Sequence, residues 1–122
     1  MLHVLIVNYT GSEEDAAPFV RDHVGYLERH HADGVFLVSG QTVPSSQGGA
    51  ILACGVDRET IERISAEDPF VVNGVATHSI TTIEPGRVHP ALGSDTVVSG
   101  WQFRQRDGVQ RSSRCGADAE RR

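Results

Sequence analysis

Short apolar runs, a long periodic stripe and turn-forming residues divide the chain into elements. Leu2 to Val7 is a continuous apolar run with β-branched residues, the pattern of a buried strand. Asn8, Thr10, Gly11 and Ser12 break it. Ser12 is then placed to cap a helix, because Glu13, Glu14 and Asp15 follow where carboxylates suit the helix dipole. Ala16, Phe19, Val20, His23, Val24, Leu27 and His31 recur at three- and four-residue steps, which predicts one amphipathic helix ending near Asp33-Gly34. Val35 to Val38 reads as a second strand closed by Ser39-Gly40, and Gln41 to Gly49 as a loop. Ala50 to Cys54 is a third strand. Asp57 can cap a second helix, Arg58 to about Ala66, with Ile61, Ile64 and Ser65 turned inward. Pro69 ends that region, because the residue before a proline avoids the helical conformation. Val71 to Gly74 reads as a turn, and the alternation from Val75 to Ile83 as a fourth strand.

The order β-α-β-β-α-β is the split-βαβ, ferredoxin-like arrangement of the α+β class. Both helices then cover one face of the sheet. Apolar residues fall on both strand faces, Ile6, Leu37 and Ile51 among them, so the uncovered face is expected to be apolar and to seat a second copy of the chain.

Composition changes this picture at the C-terminus. Residues 1–90 hold five Arg, no Lys and twelve Asp or Glu, a balance of −7, whereas residues 91–122 balance at +2. The division predicts a domain over 1–90 and an extension over 91–122. In that extension Thr96 to Phe103 could form one strand, and Arg104 onward reads as disordered. An acidic domain offers no footprint for a phosphate backbone, so nucleic acid is not an expected partner. No apolar run approaches the roughly 18 residues of a membrane helix, and the N-terminus reads as a strand rather than a signal peptide. Of the two cysteines, Cys54 sits in an apolar stretch and Cys115 in a polar tail. No bridge between them is expected, a reducing cytoplasmic setting is the default, and without CxxC spacing no zinc site is expected.

His23 is the most informative polar residue, because it interrupts the apolar stripe. One reading is a partly buried histidine satisfied by a single hydrogen bond. The other is a general acid/base, since imidazole both accepts and returns a proton near neutral pH. Asp68 has two readings as well: it closes the second helix or caps the following turn, or it fixes the tautomer of His23 and strengthens it as a base. Both helices share a sheet face, so the two side chains can meet. His30 and His31 point about 100° apart on a helix, so they cannot share a metal; both are expected to face solvent, His31 partly covered. His78 and His89 support no metal proposal. Gly48-Gly49 lacks the lysine of a phosphate loop, and no serine has the context of a nucleophile. Arg21 could meet an anionic group near His23.

The residues in order, His23-x-x-x-Leu27, Gly34, Val38-Ser39-Gly40, then Ala66-Glu67-Asp68-Pro69-Phe70-Val71 and Gly74, resemble the YCII-related (YciI-like) family over about Met1 to Pro90. The resemblance implies a dimeric α/β-barrel fold, and it places the family's histidine and aspartate on His23 and Asp68 as a catalytic pair. Relatives suggest dehydrochlorination or lactone-type isomerisation of ring-derived acids. Many members carry an arginine three residues before the histidine, where this chain has Val20; Arg21 is one place off and faces elsewhere. The resulting expectation is a cofactor-independent enzyme of lyase or isomerase type. His23 and Asp68 carry the chemistry, and Arg21, Ser39, Gly40 and Phe70 contact a small-molecule ligand. A non-catalytic dimeric ligand-binding or accessory module is the alternative.

Overall fold

In a computed structural model the described residues are 1–92. Four strands, β1 (Leu2–Tyr9), β2 (Phe36–Gln41), β3 (Gly49–Cys54) and β4 (Ala76–Ile83), form one antiparallel sheet in the order β2-β3-β1-β4. Four helical segments cover one face: α1 (Glu13–Ala16), α2 (Val20–Ala32), α3 (Arg58–Ala66) and α4 (Pro69–Val72). This is the ferredoxin-like α+β arrangement.

Strand alternation sorts the two faces. On β1, His3, Leu5, Val7 and Tyr9 turn toward the helices. Leu5 lies between Ile51 of β3 and Ile80 of β4, at the centre of the core. On β4 the corresponding set is Ala76, His78, Ile80 and Thr82, with His78 directly opposite Val7. Helix α2 packs over β2 and α3 over β4, and Tyr26, Phe36, Ile61 and Ile64 fill the space beneath them. The other face carries Val4, Ile6 and Leu52 near its middle, with Ile6 at 37% exposure and Val38 on the β2 edge at 56%.

The predicted first helix is broken. Ser12 caps α1 as expected: its hydroxyl accepts from the Asp15 N–H, and the Asp15 carboxylate accepts from the Ser12 N–H. The chain then passes through a 3₁₀ turn, Ala17–Phe19, before α2 begins. Pro18 is the reason, because it has no N–H to give and its ring crowds the preceding turn. On α2 the face buried in the core is that of Tyr26 and His30, whereas Val20 and Val24 stay partly exposed. His30 therefore does not face solvent. It is packed between the rings of Tyr26 and Phe36, both 5.0 Å away, while His31 is exposed and bonds the Ser39 hydroxyl at 2.9 Å.

Smaller differences follow local chemistry. The second strand runs on to Gln41 across a bulge between Phe36 and Val38. The turn at Val71 is instead the single-turn helix α4, capped by Asp68 and ended at Gly74, whose φ of +74° suits glycine. Helix α3 and its Asp57 cap are as predicted. Cys54 is buried at the end of β3, and the expectation of no bridge to Cys115 concerns a residue outside the described ones. The expected strand Thr96–Phe103, the disorder after Arg104 and the role of Cys115 also lie outside them.

Candidate active site

A cavity of about 330 Å³ opens between α2 and the β1–β3–β2 part of the sheet. Val7 and Ile51 form its floor, and Val20, Val24 and Leu27 its helical wall. The stripe read as a core face is thus largely a cavity wall. Polar groups are few: His23 at one end, and Tyr9, Ser39 and Gln41 along the sheet side. Burial and the negative charge of Glu13 push the Tyr9 phenol up, so it lines the wall as a protonated hydroxyl.

His23 reaches the cavity because α2 carries it on the same side as Val20, Val24 and Leu27. Its Nδ1 lies 2.7 Å from Asp68 Oδ1, and its ring stacks on Phe70 with centroids 3.9 Å apart and planes 3° from parallel. The Asp68-Pro69-Phe70 turn therefore supplies both contacts. Asp68 stands just before α4, where Oδ1 also accepts from the Phe70 N–H at 2.9 Å, and Phe70 follows two residues later against the imidazole face.

Asp68 is completely buried. Burial pushes its carboxyl up, but hydrogen bonds from His23, His78 and the Phe70 N–H outweigh that and hold it down at about 2. It is a carboxylate at neutral pH and can only accept. His23 must then donate through Nδ1–H, which leaves the lone pair of the neutral ring on Nε2. Among the described residues Nε2 has no hydrogen-bond partner, and the side chain keeps 15% exposure toward the cavity. A proton offered inside the cavity can be taken there. The resulting imidazolium would be stabilised from behind by the carboxylate.

Of the residues singled out in the sequence, His23, Ser39, Gly40 and Phe70 come together on the cavity, with Asp68 immediately behind His23. Arg21 is exposed and is not a lining residue; one place along the helix from Val20, it turns away. Two further residues complete the arrangement. His78 Nε2 lies 2.8 Å from Asp68 Oδ2, and Ser65 Oγ lies 2.8 Å from His78 Nδ1. The alternation of β4 places His78 on the helix-covered face, and the stripe of α3 turns Ser65 inward. Each signal was present in the sequence, but neither names the partner. Among the described residues no group of three or more His, Cys, Asp or Glu side chains is arranged to hold a metal.

Comparisons with known proteins bear on this geometry. No curated protein is similar enough in sequence to count as a relative. Among solved structures, 5-chloro-2-hydroxyhydroquinone dehydrochlorinase from Burkholderia phenoliruptrix AC1100, in complex with 2,5-dihydroxybenzoquinone, has a similar fold. Its TM-score is 0.60 at 19% identity, over 70% of this chain and 96% of that one. The model of the YCII-related domain matches residues 1–84, which span all four strands and the whole His23–Asp68–His78 arrangement. The chain belongs to the YCII-related family.

Proposed function

We propose that this protein is a small-molecule enzyme that transfers a proton at a carbon next to a carbonyl, as a lyase or an isomerase. His23 is the acid/base and Asp68 its positioning residue. The observation that carries this reading is the two-sided environment of His23: a buried carboxylate on Nδ1, and a preformed, mainly apolar cavity at Nε2. In the forward step Nε2 takes the proton, the C–H electron pair moves into the carbonyl as an enolate, and Asp68 stabilises the imidazolium. Collapse of the enolate then either expels a leaving group or returns the proton from His23 to a second position. Neither outcome calls for a redox centre.

The volume suits one small ring, and Phe70, Val24 and Leu27 offer it apolar contact while Tyr9, Ser39 and Gln41 can bond oxygens on its edge. The dehydrochlorinase of similar fold was solved with a dihydroxybenzoquinone, so hydroxylated quinones and related ring-derived acids or lactones are the first compounds to test. The apolar sheet face around Val4, Ile6 and Leu52 supports a homodimer, which sedimentation of the full chain would read directly.

The test is turnover of such a panel by wild type and His23→Ala, with folding checked by circular dichroism. Loss of a general acid/base lowers kcat by roughly a hundredfold or more. The mainly apolar lining also favours a second reading, a module that binds a ligand without transforming it. Equal turnover in the two proteins would remove His23 from the chemistry, and ligand binding with no turnover in either would decide for the module.

A further inference from the structure

Asp68 is bonded on both oxygens, and only one of those bonds belongs to the His23 pair. Oδ1 accepts from His23 Nδ1–H and from the Phe70 N–H, and Oδ2 accepts from His78 Nε2–H at 2.8 Å. The His78 side chain is 1% exposed and lines no part of the cavity, so it does not touch a ligand there. Its other nitrogen is not idle. A neutral His78 that donates through Nε2–H has an acceptor at Nδ1, and the Ser65 hydroxyl, 2.8 Å away, donates to it. Ser65, His78 and Asp68 together have the composition of a nucleophilic triad, but Ser65 is 7% exposed and absent from the cavity wall. Its hydroxyl has no substrate to attack.

We propose that His78, oriented by Ser65, is a positioning residue for the proton-transfer site: it fixes the Asp68 carboxylate in the one orientation that receives His23 Nδ1–H. The functional meaning of this rests on the proposed role of His23. The physical reason is rotational. The Phe70 N–H alone could hold one oxygen while the carboxylate turned about its terminal bond; a second donor on the opposite oxygen removes that freedom. The donors come from α2, β4 and the start of α4, and Ser65 adds α3. Three elements therefore meet on one carboxylate, with a fourth behind His78, and His23 inherits their rigidity. The other titratable group against Asp68 is Tyr26, whose phenol burial pushes up; it stays protonated and donates to the Ile64 carbonyl at 2.7 Å. It does not compete for the carboxylate.

The experiment follows the Asp68 carboxyl by ¹³C NMR, from neutral to acid pH, in the full chain of wild type, His78→Gln, His78→Leu and Ser65→Ala. His78→Leu removes the donor, so the midpoint rises from about 2 by about one unit. Where a turnover assay exists, kcat falls roughly ten- to a hundredfold with little change in KM. His78→Gln presents an amide N–H near the same place and restores both. If His78→Leu does not fold, Ser65→Ala, which leaves both titratable groups in place, moves the midpoint the same way by a smaller amount. An unmoved midpoint in His78→Leu, or in Ser65→Ala where the leucine variant fails to fold, overturns the proposal. So does equal disturbance by Gln and Leu, which would mean that His78 only fills space. Because the NMR titration needs no substrate, it stands or falls separately from His23→Ala turnover.

Discussion

His3 and His23 lie on the same helix-covered side of the sheet, and both are largely shielded from water, yet their surroundings differ in kind. His3, at the start of β1, is completely buried. Its Nε2 donates to the Val56 carbonyl at 2.8 Å, and its Nδ1 pairs with the Thr82 hydroxyl at 2.9 Å. Both partners are neutral, both nitrogens are used, and His3 is not among the residues lining the cavity. His23 has a carboxylate on one nitrogen and leaves the other facing a cavity. The first arrangement can only hold a structure together. The second holds an imidazole in place and leaves one nitrogen accessible from the cavity, as the proposed acid/base role requires. Burial and hydrogen bonding of a histidine thus say little about its role; what decides is whether one nitrogen is left over, and where it points.

The largest effect that can break this comparison comes from Asp68→Ala. It strips the acceptor from two imidazoles and one backbone N–H in a buried place, so denaturant unfolding should show a loss of about 3 kcal/mol. Turnover should fall with it. Next is His3→Leu, which leaves the Val56 carbonyl without its partner and costs about 2 kcal/mol. In folded protein it should leave turnover untouched, because His3 is not among the residues that line the cavity. A His3 variant that keeps its stability but loses activity would erase the distinction between the two sites. His23→Asn sharpens it from the other side. The amide can still donate to Asp68 while the ring, its stacking on Phe70 and its free nitrogen are gone. Stability should drop by only about 1 kcal/mol while catalysis is lost.

Acid should also separate the two ends. The Asp68 carboxyl is held below its ordinary value, so it contributes stability that is fully present above about pH 4 and lost as pH falls toward about 2. The size, from the shift, is on the order of 2 kcal/mol. Urea unfolding of wild type at pH 5 and pH 2.5 should differ by an amount that shrinks in Asp68→Asn. His3→Leu should retain the full difference. A wild-type acid dependence unchanged in Asp68→Asn would locate the responsible carboxylate elsewhere.

The strand order and both helix caps, at Ser12 and Asp57, were legible in the sequence, because they follow from local signals, namely alternation and a capping residue. That His23 and Asp68 can meet followed from the shared sheet face and their pairing from the family resemblance, but the sequence did not demand the contact. What was not legible depends on how elements meet. The sequence turns Ser65 inward and puts His78 on an alternating strand, but no spacing rule places residues of α3 and β4 against each other. His30, which lies off the apolar stripe, is expected from the sequence to face solvent. It is buried because the Phe36 ring comes from β2 to cover it. Val20 and Val24 fitted a core stripe, and only the gap between α2 and the sheet makes them a cavity wall. Pro18 was legible in principle: a proline within an apparent helix marks the break that the stripe concealed.

That break gives the smallest expected effect. Helix α1 is one turn long, so its cap matters more than it would on a longer helix, and Ser12→Ala should cost about 1 kcal/mol. The consequence is directional. Glu13 of α1 accepts a hydrogen bond from the Ser45 hydroxyl at 2.9 Å, and Ser45 lies in the loop that leads through Gly48 and Gly49 to the cavity wall. Fraying of α1 releases that loop, so amide hydrogen exchange should quicken at Thr42 and Gly48, whose N–H groups hold the loop closed on Gly48 and Ser45 carbonyls. The amides of His3 and Ala53, paired across β1 and β3 at the far end, should exchange as in wild type. Equal acceleration at both ends would mean that the fold opens as one unit. Acceleration confined to the loop would show that the cavity end loosens on its own while the end held by His3 stays shut, the behaviour expected of a site that must admit a ligand.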